Sequence, residues 1–273
     1  MHCGKGSCSM STEERPEIKL IALDMDGTLL NDNHEISPGN REAIIEAREL
    51  NVPVMIATGR TRATCGSYAQ SLGLQTFLVT ANGGEIYNKD GDLIHATHLH
   101  EDAVNHVYEL RERYGAHVWA ASSNGLFRGD LPEDRHNYQW LKFGFDTTDD
   151  GVRKEIVAEL TERGLTEITN SSPTNIEVNA IGINKASAIK LVCDELGIDM
   201  QHVMAVGDSL NDIAMIQEAG LGVAMGNAQD LVKRKADWIT ATNVNDGVAA
   251  AIHRWVVLPK MEANKENHNG NDF

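Results

Sequence analysis

Apolar runs of four to six residues recur along the chain, and several stop at a polar residue. Leu20–Leu23 ends at Asp24, Val52–Ala57 at Thr58, Phe77–Thr80 just before Asn82, and Val203–Val206 before Asp208. Runs this short, bounded by turn residues, read as buried strands rather than buried helices. Between them lie helical patterns. Ser37-Pro38 is an N-cap followed by proline in the first turn, opening a helix to about Leu50. A second helix follows Arg60 and stops at Gly73. A third begins at Lys185, places Ala188, Ile189, Val192 and Leu196 on one face, and ends at Gly197. Asn211–Ala219 is helical, Leu221–Met225 and Trp238–Thr240 are short strands, and a last helix covers about Asp246–Trp255. Strands alternating with helices across short joints predict an α/β core around a doubly wound parallel sheet.

The alternation breaks between residues 85 and 183. Glu85–His100 reads as a hairpin turning at Lys89-Asp90-Gly91-Asp92. Helices are predicted near Glu101–Tyr114 and Asp150–Arg163. Strands are predicted near His117–Ala121, Leu126–Arg128, Thr166–Thr169 and Asn175–Asn179. Residues 129–149 show no regular pattern, and their Trp140, Phe143 and Phe145 are expected to pack inside this unit. Paired strands and paired helices describe an α+β domain inserted into the sheet domain. The expected division is a polar, disordered leader at 1–16, a discontinuous core at 17–84 and 184–258, a cap at 85–183, and a disordered tail at 259–273.

A formal charge of −16 over 273 residues argues against general nucleic-acid binding and against an anionic membrane surface. It still permits a small anionic substrate at a locally positive site. Cys3, Cys8, Cys65 and Cys193 include no CxxC pair, which fits a reducing compartment. With no apolar stretch of membrane-spanning length and no signal peptide in view, a cytoplasmic protein is expected, as monomer or weak homo-oligomer. Gly4-Lys5-Gly6-Ser7 lacks the spacing of a phosphate loop, and His2, Cys3 and Cys8 read as an incidental tail.

Strand ends of a parallel sheet meet on one edge, so Asp24, Asp26, Thr58, Asn82, Asp208 and Asp212, with Lys185 at a helix start, can form one pocket. Clustered aspartates need a positive partner, and a hard cation, Mg²⁺, is the simplest. Asp24 is ionised without help and can attack phosphorus to give an aspartyl-phosphate. Lys185 and the metal would neutralise charge. Thr58 and the Gly59 N–H would hold phosphoryl oxygens, and Asp26 would serve as acid and base. Asp208 completes a metal set with Asp24 and Asp26, Asn211 touches phosphate, and Asp212 orients the metal site from behind.

Asp24-Met25-Asp26-Gly27-Thr28-Leu29 resembles motif I of the haloacid dehalogenase-like superfamily. Thr58-Gly59-Arg60 resembles motif II, Lys185 motif III, and Gly207-Asp208-Ser209-Leu210-Asn211-Asp212 motif IV. The motif order and the long insert between motifs II and III are similar to the Cof-type branch with a type IIB cap, over about residues 18–257. The resemblance implies a Rossmann-like core and a Mg²⁺-dependent phosphatase, with Asp24 as nucleophile and Asp26 as acid/base. Its substrate would be a small phosphomonoester: a sugar phosphate, flavin mononucleotide, pyridoxal phosphate or a riboflavin-pathway intermediate. It also implies that Asn82 and Gly83 face substrate, and it aligns Glu177 with a substrate-facing acidic residue of the cap. A phosphomutase using the same intermediate, or a metabolite sensor without turnover, are the alternatives.

Blander readings accompany these residues. Thr58 alone would be a helix cap and Lys185 a solvated helix-start lysine, while Arg60 braces the local turn or adds positive potential toward substrate. Asn82-Gly83 is a turn signal, and Glu177 is equally an exposed strand residue. His95, His98 and His100 read as a solvated hairpin edge rather than a metal site.

Overall fold

The computed structural model describes residues 16–269. In chain order the main elements are β1 (Leu20–Leu23), α1 (Pro38–Glu49), β2 (Val54–Ala57), α2 (Arg62–Ser71), β3 (Leu78–Thr80), β4 (Glu85–Tyr87) and β5 (Leu93–Ala96). Then come α3 (Glu101–Tyr114), β6 (His117–Ser122), β7 (Gly125–Arg128), β8 (Trp140–Asp146), α4 (Asp150–Arg163), β9 (Thr166–Thr169) and β10 (Asn175–Ala180). The chain closes with α5 (Lys185–Leu196), β11 (Val203–Gly207), α6 (Ile213–Glu218), β12 (Leu221–Ala224), α7 (Asp230–Lys235), β13 (Trp238–Ile239), α8 (Gly247–Ile252) and α9 (Leu258–Asn269).

The strands form two sheets. One has the order β13-β12-β11-β1-β2-β3-β4-β5, the other β7-β6-β8-β10-β9. From β13 to β3 every pairing in the first sheet is parallel, with Leu20–Leu23 fully buried at its centre. Both of its faces are covered. One face packs Ile21, Leu23, Ile56, Met204 and Val206 against α1 and α8. The other packs Leu20, Ala22, Met55 and Ala205 against α5. Burial on both sides explains why these strands are continuous apolar runs. The sequence start and stop signals hold locally. Ser37 Oγ accepts from the Asn40 N–H at 3.1 Å with Pro38 in the first turn, and Gly197 caps α5 at φ 65°.

Three expectations are corrected. The hairpin placed in the cap extends the core sheet instead: β4 pairs antiparallel with β3, and β5 with β4, so the insert departs after residue 96 rather than at 85. Val79 against Ile86 continues the buried layer, and that burial decides where the hairpin belongs. The stretch 129–149 contains β8, buried from Trp140 to Phe145 and paired with both β6 and β10. Its Lys142 and Gly144 masked the alternation. The tail expected to be disordered from 259 is helical to Asn269. Buried Trp255, Val256 and Val257 anchor its base, and Lys, Met, Glu and Ala favour its continuation. The expected leader falls largely outside the described residues. The short α7 has one buried residue, Val232, too little for a visible pattern.

The second sheet is entirely antiparallel and has two unlike faces. Val118, Ala120, Phe143, Phe145, Ile176 and Val178 pack on α3 and α4 with Trp140. The alternate positions face the other way, toward the first sheet's carboxyl edge, and bound a cleft of about 820 Å³. Trp140, Phe143 and Phe145 thus pack inside the cap as expected. Among the described residues no helix is long and apolar enough to cross a membrane.

Candidate active site

Asp24 directly follows β1 and is 5% exposed. Its Oδ1 accepts from Lys185 Nζ at 2.6 Å, and the same ammonium donates to Asp212 Oδ1 at 2.7 Å. Lys185 reaches this point because α5 starts behind the sheet edge. Asn184 caps that helix, its side chain accepting from the Ser187 N–H. Lys185 is fully buried. Burial alone would lower its pKa, yet attraction to Asp212 and Asp24 holds the ammonium charged well beyond the ordinary lysine range.

Asp212 accepts three hydrogen bonds. Besides Lys185, its Oδ2 accepts the backbone N–H groups of Asp208 (2.9 Å) and Ser209 (3.0 Å), which fixes the loop after β11. Asp208 accepts from Thr28 Oγ1 at 3.2 Å and Ser209 Oγ at 3.0 Å. Gly27, at φ 77°, is required here, because a Cβ would lie 2.6 Å from Asp208 Oδ2. One carboxylate oxygen from each of Asp24, Asp208 and Asp212 lies within 4.8 Å of the others. Desolvation first, then repulsion between the carboxylates, pushes Asp24 well above the usual carboxylate range despite Lys185. The same causes push Asp208 up to about 6. Three aspartates against one lysine form an all-oxygen donor set short of positive charge, which suits a hard divalent cation.

The grouping differs from the expected one at Asp26. Its side chain is half exposed and turned to the rim, where Arg60 holds it with two hydrogen bonds, Nε to Oδ2 at 2.8 Å and Nη2 to Oδ1 at 2.5 Å. The Asp26 carboxylate is therefore not among the clustered ones. Arg60 does more than brace a turn. Its hydrogen bonds to Asp26 outweigh desolvation and keep the guanidinium firmly protonated.

Thr58 is buried after β2 and accepts the Arg60 N–H at 3.1 Å. Gly59 lies beside Asn82, Asn211 and Lys142; a Cβ there would be 2.9 Å from Asn82 Oδ1 and 3.2 Å from Lys142 Nζ. Asn82, at φ 58°, joins the two sheets. Its Nδ2 donates to Glu177 (2.7 Å) and Asn179 (3.2 Å) on β10, and its Oδ1 accepts from Asn211 at 3.1 Å. The buried Asn211 Oδ1 has no hydrogen-bond partner among the described residues, which marks a place for a polar ligand atom or water. Gly83 is not brought to the cleft: it packs on the Asn184 carbonyl, where a Cβ would sit 2.5 Å from that oxygen.

Glu177 is 3% exposed, against the reading of an exposed strand residue. It pairs with Lys142 Nζ at 3.0 Å and accepts from Ser171 Oγ at 3.1 Å. Lys142 and Ser171 were missed from sequence. A lysine inside the apolar run Trp140–Phe145 is the signal that could have revealed the first. No comparable signal marks Ser171. His95 hydrogen-bonds Thr97 and His98 hydrogen-bonds Ser123, while His100 caps α3. These histidines do not converge.

A sequence profile of haloacid dehalogenase-like hydrolases matches residues 21–146 and 127–252. The chain is 56% identical, over 89% of its length and 98% of the relative's, to the 5-amino-6-(5-phospho-D-ribitylamino)uracil phosphatase YcsE of Bacillus subtilis (strain 168). Its fold is similar to a haloacid dehalogenase-like hydrolase from Bacteroides thetaiotaomicron, with TM-score 0.74 and 31% identity over 87% of this chain and 99% of that one. It is also similar to a subclass IIB sugar phosphatase of the same superfamily, with TM-score 0.78 and 26% identity over 86% and 98%.

Proposed function

The chain belongs to the haloacid dehalogenase-like hydrolases and is a phosphatase of small phosphorylated metabolites, and we propose that it transfers the phosphoryl group to Asp24 with Mg²⁺ as cofactor. The observation that carries this reading is the convergence of Asp24, Asp208 and Asp212 around Lys185. Asp24 and Asp208 would hold the cation. Both Asp212 oxygens are already committed to Lys185 and to backbone N–H groups, so Asp212 sets the position of the lysine and the loop. When bound, the cation keeps the carboxylates ionised and offsets the negative charge of the phosphoryl oxygens.

The chain's own groups do the rest. Lys185 steers Asp24 Oδ1, leaving the other oxygen to attack phosphorus. Thr58, the Gly59 N–H and Asn211 receive phosphoryl oxygens. Asp26 protonates the departing oxygen and then takes a proton from the water that cleaves the aspartyl-phosphate, with Arg60 fixing its position. The cap face bearing Lys142 and Glu177 covers the leaving group and excludes bulk water during transfer. By similarity to the 56% identical relative, the preferred ester is 5-amino-6-(5-phospho-D-ribitylamino)uracil.

The test is inorganic phosphate release from that ester, sugar phosphates, flavin mononucleotide and pyridoxal phosphate. Wild-type turnover should need Mg²⁺ and vanish with chelator. Asp24→Asn should lose at least roughly a thousandfold in kcat with the fold intact. Substantial turnover by Asp24→Asn would remove it from the nucleophile role.

A further inference from the structure

The cap wall of the cleft carries a half-buried indole that the phosphoryl chemistry does not use. Trp119 on β6 lines the cleft and stands opposite Gly144 on β8. Its ring lies across that glycine: a Cβ on Gly144 would fall 2.0 Å from Trp119 Cε2 and 2.4 Å from Nε1. Gly144 has an ordinary extended backbone, so its missing side chain is what admits the ring. Lys142 Nζ lies over the ring, 4.9 Å from its centroid, so a ligand ring stacking there would share that face with the ammonium, and Glu177 takes one of its three N–H groups. Arg128 lies directly across from Trp119 on β7 and borders the same cleft.

We propose that Trp119, seated on Gly144, is the stacking platform for a planar nitrogen heterocycle in the leaving group, and that Lys142 donates to a carbonyl of that ring. The proposal deepens the phosphatase reading and rests on it for the position of the phosphate. A cleft of about 820 Å³ exceeds what a small phosphate ester fills and suits a drug-sized leaving group. The platform is on the cap wall and the phosphate site on the core wall. An ester whose phosphate and ring are separated by a flexible chain can occupy both. An aromatic face together with an ammonium donor favours a flat, carbonyl-bearing ring over a bare polyol.

The test compares 5-amino-6-(5-phospho-D-ribitylamino)uracil with ribitol 5-phosphate, which keeps the phosphate and polyol but lacks the ring. Trp119→Leu and Gly144→Ala should each raise KM for the ring ester roughly tenfold to a hundredfold, the range of lost base–aromatic stacking, with kcat little changed. Both should leave kcat/KM for ribitol 5-phosphate nearly unchanged, and Trp119→Phe should retain most ring-ester activity. Calorimetry with the dephosphorylated ring compound reads the platform without turnover, and its Kd should weaken by the same factor in Trp119→Leu. Equal losses on both esters, or an unchanged Kd for the ring compound, overturn the platform. Ring binding that depends on Trp119 in a protein that hydrolyses no ester would sustain the platform and overturn the phosphatase reading.

Discussion

The core wall of the cleft sets three carboxylates, Asp24, Asp208 and Asp212, against one ammonium, Lys185. The cap wall sets one carboxylate, Glu177, against one ammonium, Lys142, and adds hydrogen bonds from Asn82 and Ser171. Both clusters are buried, but only the second is neutral by itself. A buried charge without a partner is strongly unfavourable, so the core cluster suits the cation proposed for it. The cap cluster needs no such addition, which fits it for gripping the uncharged part of a substrate and for docking the cap on Asn82.

The largest effect should come from removing either lysine. Lys185→Met takes the ammonium from two buried carboxylates, Asp24 and Asp212, and Lys142→Met takes it from one, Glu177; each should lower stability by roughly 3–5 kcal/mol in chelator. Mg²⁺ should restore part of the loss in Lys185→Met and none in Lys142→Met, read as Tm. Equal rescue of both would erase the distinction between the clusters. Next, Mg²⁺ should stabilise the wild type by about 2.7 kcal/mol at a hundredfold excess over Kd, and this gain should be lost in Asp208→Asn. A gain that survives in Asp208→Asn would place the cation elsewhere.

A smaller effect concerns pH. Burial would raise the Glu177 carboxyl, but Lys142 and the hydrogen bonds from Asn82 and Ser171 hold it below its ordinary value of 4.5. A carboxyl depressed in the folded state contributes stability that is complete above the unfolded value and is lost as pH falls through the folded one. Tm should therefore fall more steeply below pH 4.5 in the wild type than in Glu177→Gln. Parallel curves would show that the cap pair contributes no pH-dependent stability. Least of all, Cys65, whose thiol burial pushes up to about 12, should resist alkylation at neutral pH until the protein unfolds.

The two walls also differ in how far sequence reveals them. The core residues sit at the ends of short, doubly buried strands, where an apolar run breaks into Asp24, Thr58 or Asp208, so their meeting on one edge follows from the parallel sheet. What sequence missed there was orientation: Asp26 is turned to Arg60, and Gly83 supports a backbone contact rather than the cleft. The cap hides its site because an antiparallel sheet alternates its faces. In β8 the same run that buries Phe143 and Phe145 turns Lys142 to the cleft and places Gly144 beneath Trp119, and a lysine and a glycine argue locally against a strand. Trp119 gains its meaning only from Gly144, a residue on another strand.

The most direct measurement traps the phosphoryl group during turnover. Rapid quenching with the ring ester and Mg²⁺, borohydride reduction and peptide mass analysis should convert residue 24, and no other aspartate, to homoserine. Conversion at a different residue, or none under conditions where phosphate is being released, would contradict phosphoryl transfer to Asp24.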